Sequence, residues 1–266
     1  MEKIFFKLLA LIALFLAILF TANQVNWMAL LKVEENISST EEKIGELFWE
    51  LYEENNREIN DLSIIEPIDS IFSKICETNN IKKGDIKLHI TKNYEVNAFA
   101  LPNKHLVLNT GLISEVNNEE ELAGVIGHEI AHMELDHVMK KLVKEIGLAV
   151  VVTMTSGNGN NQVILESLRT LTSSAYDRSL EEEADIKAVD YLIAAHIDPA
   201  PFADFLYSLG SGSDTEEYLS WVSTHPYSKE RAEYIINYSQ EKTYKKESVL
   251  SDATWEGLKQ NIDQLH

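Results

Sequence analysis

The chain has 266 residues, enough for one sizeable domain or two small ones. Hydrophobic residues make up 45% and charged residues 25%, the balance of a globular chain rather than a disordered one. Acidic residues number 43 against 23 basic, a net charge of −20 that repels phosphate backbones and argues against nucleic-acid binding. The single cysteine, Cys76, excludes an internal disulfide and a cysteine-based metal cluster. Any bound metal must be held by histidines and carboxylates.

Ile4 to Phe20 is apolar apart from Lys7 and is close to the ~20 residues a spanning helix needs. Lys3 and Lys7 on its N-terminal side predict that this end stays in the cytoplasm and that the remainder is exported. A signal peptide cut after Ala22 would put Phe20 where a small residue is wanted, so residues 1–22 read as an uncleaved anchor, with secretion after cleavage as the alternative. Residues 23–59 form a connector in which Thr40 opens a helix, with Ile44, Leu47, Phe48, Leu51 and Tyr52 at helical spacing. A second helix is expected over Ile68–Thr78. Asp85–Ile90 alternates as a strand does, and Asn97–Ile113 carries apolar residues around a Pro102-Asn103 turn, which predicts a small sheet. Helices dominate from Asn118 onward. Gly147–Thr155 is strongly apolar but too short to span a bilayer, and is expected to be a buried helix. Residues 241–266 read as a polar extension with one late helix.

The chemistry is concentrated in Gly124–His137, which contains H-E-x-x-H at His128, Glu129 and His132. On a helix, two residues four apart differ by only ~40° around the axis, so both imidazoles can grip one ion. Glu129 falls beside them, placed to polarise a metal-bound water rather than to ligate. Leu122, Val125, Ile126, Ile130, Ala131 and Met133 make the helix apolar nearly all round, and polar groups inside such a helix need a partner. A catalytic zinc site needs a third ligand and an open fourth position. His137 is ~180° from His128 if the helix continues, and so faces away.

A second helix is expected from about Leu180 to His196, ended by Pro199. Its buried arc is marked by Ala184, Ala188, Leu192 and Ala195, with Glu181 and Asp185 near the middle. Two carboxylates on an apolar face need partners. Glu181 is therefore the expected third ligand, and Asp185 the carboxylate that orients His128.

H-E-x-x-H followed by R-x-x-E-x-x-A-D, here His128, Glu129, His132, Arg178, Glu181, Ala184 and Asp185, resembles the gluzincin zinc metallopeptidases that include HtpX, BepA and the CAAX prenyl proteases. Asn97–Pro102 before Gly111-Leu112, and Thr224-His225-Pro226 before Glu230-Arg231, fit the same pattern. Asn103 and Lys104 stand where relatives often carry two glycines. The segment between the two metal motifs is too short for membrane hairpins, so the chain resembles the soluble-domain, BepA-like branch. The resemblance implies a zincin-like metalloprotease domain over residues 60–240. Its fold would be α+β and mostly helical, with a small β-sheet beside the active-site helix and one transmembrane helix before it. It implies one zinc per chain and a peptide or unfolded-protein substrate added as a strand beside the cleft. It also places His225, as oxyanion partner or gate, and Arg231 near the metal. The expected activity is metalloendopeptidase cleavage of unfolded or misassembled envelope proteins. A non-catalytic, zinc-stabilised chaperone or adaptor is the alternative. Nothing in the sequence sets the oligomeric state.

Overall fold

The computed structural model describes residues 33–158, 160–211, 216–226 and 228–265. The apolar run Ile4 to Phe20 lies outside them, and among the described residues no helix is long and apolar enough to cross a membrane. The chain divides into two units, Met1–Glu41 and Glu42–His266, and the second contains the sheet and every described helix after the first.

From Glu42 onward, helix α1 (Val33–Glu53) buries Ile44 and Phe48 completely. Helix α2 (Leu62–Thr78) starts six residues before the expected Ile68. Asp61 caps it by accepting from Ser63 N at 2.9 Å, and Pro67 lies inside it, where it removes one helical N–H donor.

Three short strands follow, β1 (Lys87–Thr91), β2 (Ala98–Leu101) and β3 (His105–Asn109), in the order β1-β3-β2. β1 runs parallel and β2 antiparallel to β3. The turn between β2 and β3 holds Asn103 and Lys104 at φ 59° and 55°. These are left-handed positions that glycine would occupy without strain, and here Asn103 is steadied by a 3.0 Å bond to Glu46 Oε1. The outer edge of β1 is covered by residues 57–59, through Ile59 N donating to Ile90 O and Lys92 N to Arg57 O, each at 2.8 Å. β2 has no strand on its outer edge among the described residues. Asn109 N donates to Asn97 O at 3.1 Å, so the backbone groups of Asn97, Phe99 and Leu101 turn toward β3. Those of Ala98 and Ala100 turn outward.

Short α3 (Thr110–Glu115) leads to α4 (Glu119–Glu134), the central helix, which is buried without interruption from Glu121 to Met133. Asn118 caps it by accepting from Glu121 N at 2.9 Å, while Glu121 reaches back to Asn117 N at 2.7 Å. α4 ends at Glu134. Asp136 is left-handed at φ 57°, and α5 (His137–Ile146) departs in a new direction. α6 (Leu148–Thr153), a π-helical turn at Met154–Asn158 and α7 (Asn161–Ser173) complete the connection. The expectation of a buried helix over Gly147–Thr155 is corrected by this segment. Val151 and Met154 are inside, but Leu148 and Val152 are 57% and 51% exposed, because a helix this short on the rim has only one face against the core.

α8 (Arg178–Ala194) and α9 (Ala200–Ser211) pack on α4, followed by α10 (Glu216–Thr224), α11 (Ser228–Gln240) and α12 (Asp252–Asp263). The C-terminal segment is tied down at both ends of the α3-α4 junction. The Glu119 carboxylate accepts from Val249 N and Leu250 N at 2.7 Å each. Lys259 Nζ donates to the carbonyls of Ile113 at 3.0 Å and Val116 at 2.7 Å.

Gly124 sets how closely α9 approaches α4: a Cβ there would stand 2.3 Å from Phe202 Cβ. Gly124→Ala should therefore lower the urea unfolding free energy by roughly 1–3 kcal/mol through overpacking. An unchanged midpoint would mean that the two helices have slack.

Candidate active site

α4 delivers His128, Glu129 and His132, and all three are fully buried. α8 delivers Glu181 and Asp185 one turn apart, at 1% and 0% exposure. His225 enters from the end of α10 and Arg231 from the first turn of α11. Every residue expected at the site from the sequence is thus brought to one place.

Four ligand atoms converge, one each from His128, His132, Glu181 and His225, all within 4.8 Å of one another. His132 Nε2 is 3.0 Å from His128 Nε2 and 3.4 Å from Glu181 Oε1. His225 Nδ1 is 3.0 Å from Glu181 Oε1 and 3.3 Å from His128 Nε2. Four donors at zinc–nitrogen distance in a tetrahedron stand ~3.3 Å apart, so the spacing suits that ion. The charge states suit it too. Burial, reinforced by His128, holds the His132 imidazolium well below its ordinary value, and burial holds His225 down to about 4, so both are neutral at pH 7. Burial works against the Glu181 carboxylate, but Arg231 and His225 outweigh it and hold its pKa well below the usual carboxylate range.

Glu129 stands apart from this set. Neither of its oxygens accepts a hydrogen bond of ordinary geometry. The nearest polar neighbours are His225 Nε2, 3.4 Å from Oε1, and the Ala100 N–H, which faces the carboxylate closely enough to favour its charged form. Burial, then the adjacent Glu181, pushes its pKa well above the ordinary carboxylate value. A buried base with both oxygens unengaged, beside a cluster of metal-ligating atoms, can take a proton from a water held between them.

Around these groups lies a shell that fixes their orientation. His128 Nδ1 is 2.8 Å from Asp185 Oδ1. Asp185 receives both Arg231 Nε and Nη2 at 2.7 Å, and the Tyr234 hydroxyl as well. Burial opposes its charge, yet Arg231 holds Asp185 down to about 2. Arg231 Nη1 also pairs with Glu181 and donates to His225 O at 3.3 Å. Arg178, at the first position of α8, pairs outward with Glu230 at 2.6 Å instead.

Several members of this shell were not anticipated. His137, expected to face away, returns to the site because α4 breaks at Leu135-Asp136: its Nδ1 is 3.0 Å from His132 Nδ1 and its Nε2 is 3.2 Å from Glu183 Oε2. When His132 Nε2 ligates, its Nδ1–H donates to His137, which in turn donates to Glu183. Tyr176 stacks on His132 with centroids 3.9 Å apart, and Trp221 stacks on His225 at 4.1 Å. Trp221 precedes His225 by one helical turn, and Tyr234 follows Arg231 by three residues, spacings from which a shared face could be read. His89 and His105 pair with each other at 3.0 Å on β1 and β3, outside the site.

A central helix bearing two histidines and a glutamate, a second helix bearing a glutamate, and a small sheet alongside define a zincin-like metallopeptidase domain. The chain belongs to peptidase family M48, whose model matches residues 66–238. It is 30% identical over 191 residues to metalloprotease LoiP of Escherichia coli K12, covering 67% of this chain and 75% of that one. To the mitochondrial metalloendopeptidase OMA1 of Bos taurus it is 28% identical, over 56% of this chain and 31% of that one. To the beta-barrel assembly-enhancing protease of Yersinia pestis it is 24% identical, over 63% and 37%. The chain thus spans about a third of the length of the last two relatives.

The Asp185 carboxylate makes a pH prediction for the metal-stripped chain. Its pKa is depressed from 3.8 to about 2, so it contributes stability above the unfolded value that is lost as pH falls through the folded one. The contribution is about 2 kcal/mol, disappearing between roughly pH 4 and pH 2. Asp185→Asn should lower stability at pH 7 and flatten this part of the acid limb. A limb as steep as that of the wild type would show that Asp185 is not held in its charged form.

Proposed function

We propose that the chain is a zinc metalloendopeptidase in which His128, His132 and Glu181 hold the metal and Glu129 is the general base. The observation that carries this is the fully buried Glu129 carboxylate, unpartnered at both oxygens, next to four converging ligand atoms. Zinc, when bound, would supply a Lewis acid and lower the pKa of its water toward neutrality. Glu129 accepts the water's proton and passes it to the leaving amine. Asp185 orients His128 and the His137–Glu183 pair orients His132, while Arg231 keeps Asp185 and Glu181 charged.

The substrate is a peptide in extended conformation. The outward-facing backbone groups of Ala98 and Ala100 are a template for one more strand, and Ala100 N–H faces Glu129, so a strand paired there passes the base. A cavity of about 410 Å³ runs beside this edge, lined by Tyr52, Asn97, Phe99, Thr172, Ser220 and Ser223 among others. His225 has two roles open to it. With Nδ1 among the ligand atoms it is a fourth donor in the place a water needs, which closes the site. Withdrawn from the ligand set, its ring would instead polarise a substrate carbonyl, the oxyanion role the resemblance implies.

The Ile4 to Phe20 run supports a membrane-anchored enzyme with its catalytic domain exported, or a secreted one if that segment is cleaved. Unfolded or misassembled envelope proteins are the proposed substrates, in keeping with the name of the Yersinia relative. The rival is a non-catalytic, zinc-stabilised chaperone or adaptor.

Wild type and Glu129→Gln should bind equal amounts of zinc, while the variant loses at least about 10²-fold in cleavage of unfolded casein. Equal cleavage by both would remove Glu129 from its role. Zinc in both with cleavage by neither would favour the chaperone.

A further inference from the structure

After the break at Asp136, α5 runs beside the start of α8 and encloses with it a cavity of about 200 Å³. Its walls include Lys140, Lys141, Lys144, Glu145, Tyr176 and Asp177, three cations against two carboxylates. Three lysines on one short helix are conspicuous in a chain of net charge −20. Two of them are committed: Lys140 Nζ donates to Leu135 O at 2.9 Å, and Lys144 Nζ pairs with Asp177 at 2.6 Å. Lys141 is only 4% exposed, and among the described residues no carboxylate pairs with its Nζ, which lies 4.0 Å from the Tyr176 ring centroid. His132 is stacked on that ring at 3.9 Å and leaves no room on its face for an ammonium 4.0 Å from the same centroid, so Lys141 takes the opposite face. Tyr176 is therefore the partition between the metal ligands and the cavity.

We propose that this cavity is a subsite for a substrate carboxylate close to the scissile bond, and that Lys141 is its specificity-determining residue. The inference rests on the peptidase reading above. A largely buried ammonium resting on an aromatic face is stabilised by cation–π attraction, and its N–H donors that face the cavity are open to an incoming acceptor. A carboxylate entering the cavity satisfies them and gains a charge-assisted bond in a site sheltered from water. Burial pulls the Lys141 ammonium down to about 8, against Glu129, Glu181 and Glu145, so it remains mostly charged at pH 7. The negative surface of the chain repels acidic substrates in general, so a preference for a carboxylate at one position has to come from a local cation.

The test uses the full-length, zinc-loaded chain. A mixed peptide library should show Asp and Glu enriched at one fixed position near the cut. Matched peptides with Glu or Gln there should differ by about tenfold or more in kcat/KM, mainly through KM. Peptides with a free or an amidated C-terminus separate a side-chain carboxylate from a chain-terminal one, and preference for either supports the subsite. Lys141→Met and the milder Lys141→Gln should bring the Glu/Gln ratio toward one, and Lys141→Arg should keep it. A wild-type ratio near one for both carboxylate sources overturns the proposal without any variant, as does a ratio that survives in Lys141→Met or Lys141→Gln. Failure of the underlying reading looks different: no peptide is cut by the wild type, or cutting survives in Glu129→Gln.

Discussion

Arg231 is the constraint on which the site depends. Its guanidinium is 2% exposed and is paired to two carboxylates, Asp185 and Glu181, that are themselves buried. Removing one partner of such a group leaves uncompensated charge in the core, typically at a cost of several kcal/mol. The arrangement ties three helices together, since α8 supplies both acids, α11 supplies the arginine, and His128 of α4 rests on Asp185. Charged acids at the centre of a largely apolar core are therefore a feature the whole packing serves. Even so, the Glu129 carboxylate lacks an aligned hydrogen bond at either oxygen, which leaves it able to take a proton from a water.

The second constraint is the path of the chain at two backbone positions. Asp136 in the left-handed region ends α4 one residue before His137 and sends α5 back over the site. This single break brings His137 to His132 and places Lys141 behind Tyr176. Asn103 and Lys104, also left-handed, turn β2 back on β3 and leave the outer edge of β2 without a strand among the described residues, with the Ala100 N–H facing Glu129. Orientation of the histidines and access of a substrate strand both follow from where the chain turns.

The sequence revealed the site better than its surroundings. His128 and His132 share a helix face by spacing alone, and Glu181 and Asp185 were identifiable because two acids at the centre of an apolar arc require partners. The placement of His225 and Arg231 came from resemblance, since no local periodicity links residues 225–231 to residue 128. His137 was misplaced for a definite reason: uninterrupted helical counting puts it on the far side, and nothing in Leu135-Asp136 announces a left-handed residue as a glycine would have done. The fold was legible as mostly helical with a small sheet. The exposure of Leu148 and Val152 was not, because apolar composition does not say whether a short helix at the rim has a second element to cover it. Tyr176 and Lys141 give no signal in one dimension, as their meaning comes from the ring that separates them from His132.

Where zinc sits can be read by anomalous diffraction at the zinc absorption edge from crystals of the zinc-loaded protein. A single strong peak is expected, bonded to His128 Nε2, His132 Nε2 and the Glu181 carboxylate, with Glu129 outside bonding distance. A site that stays empty in excess zinc, or a peak ligated by other side chains, would contradict that placement.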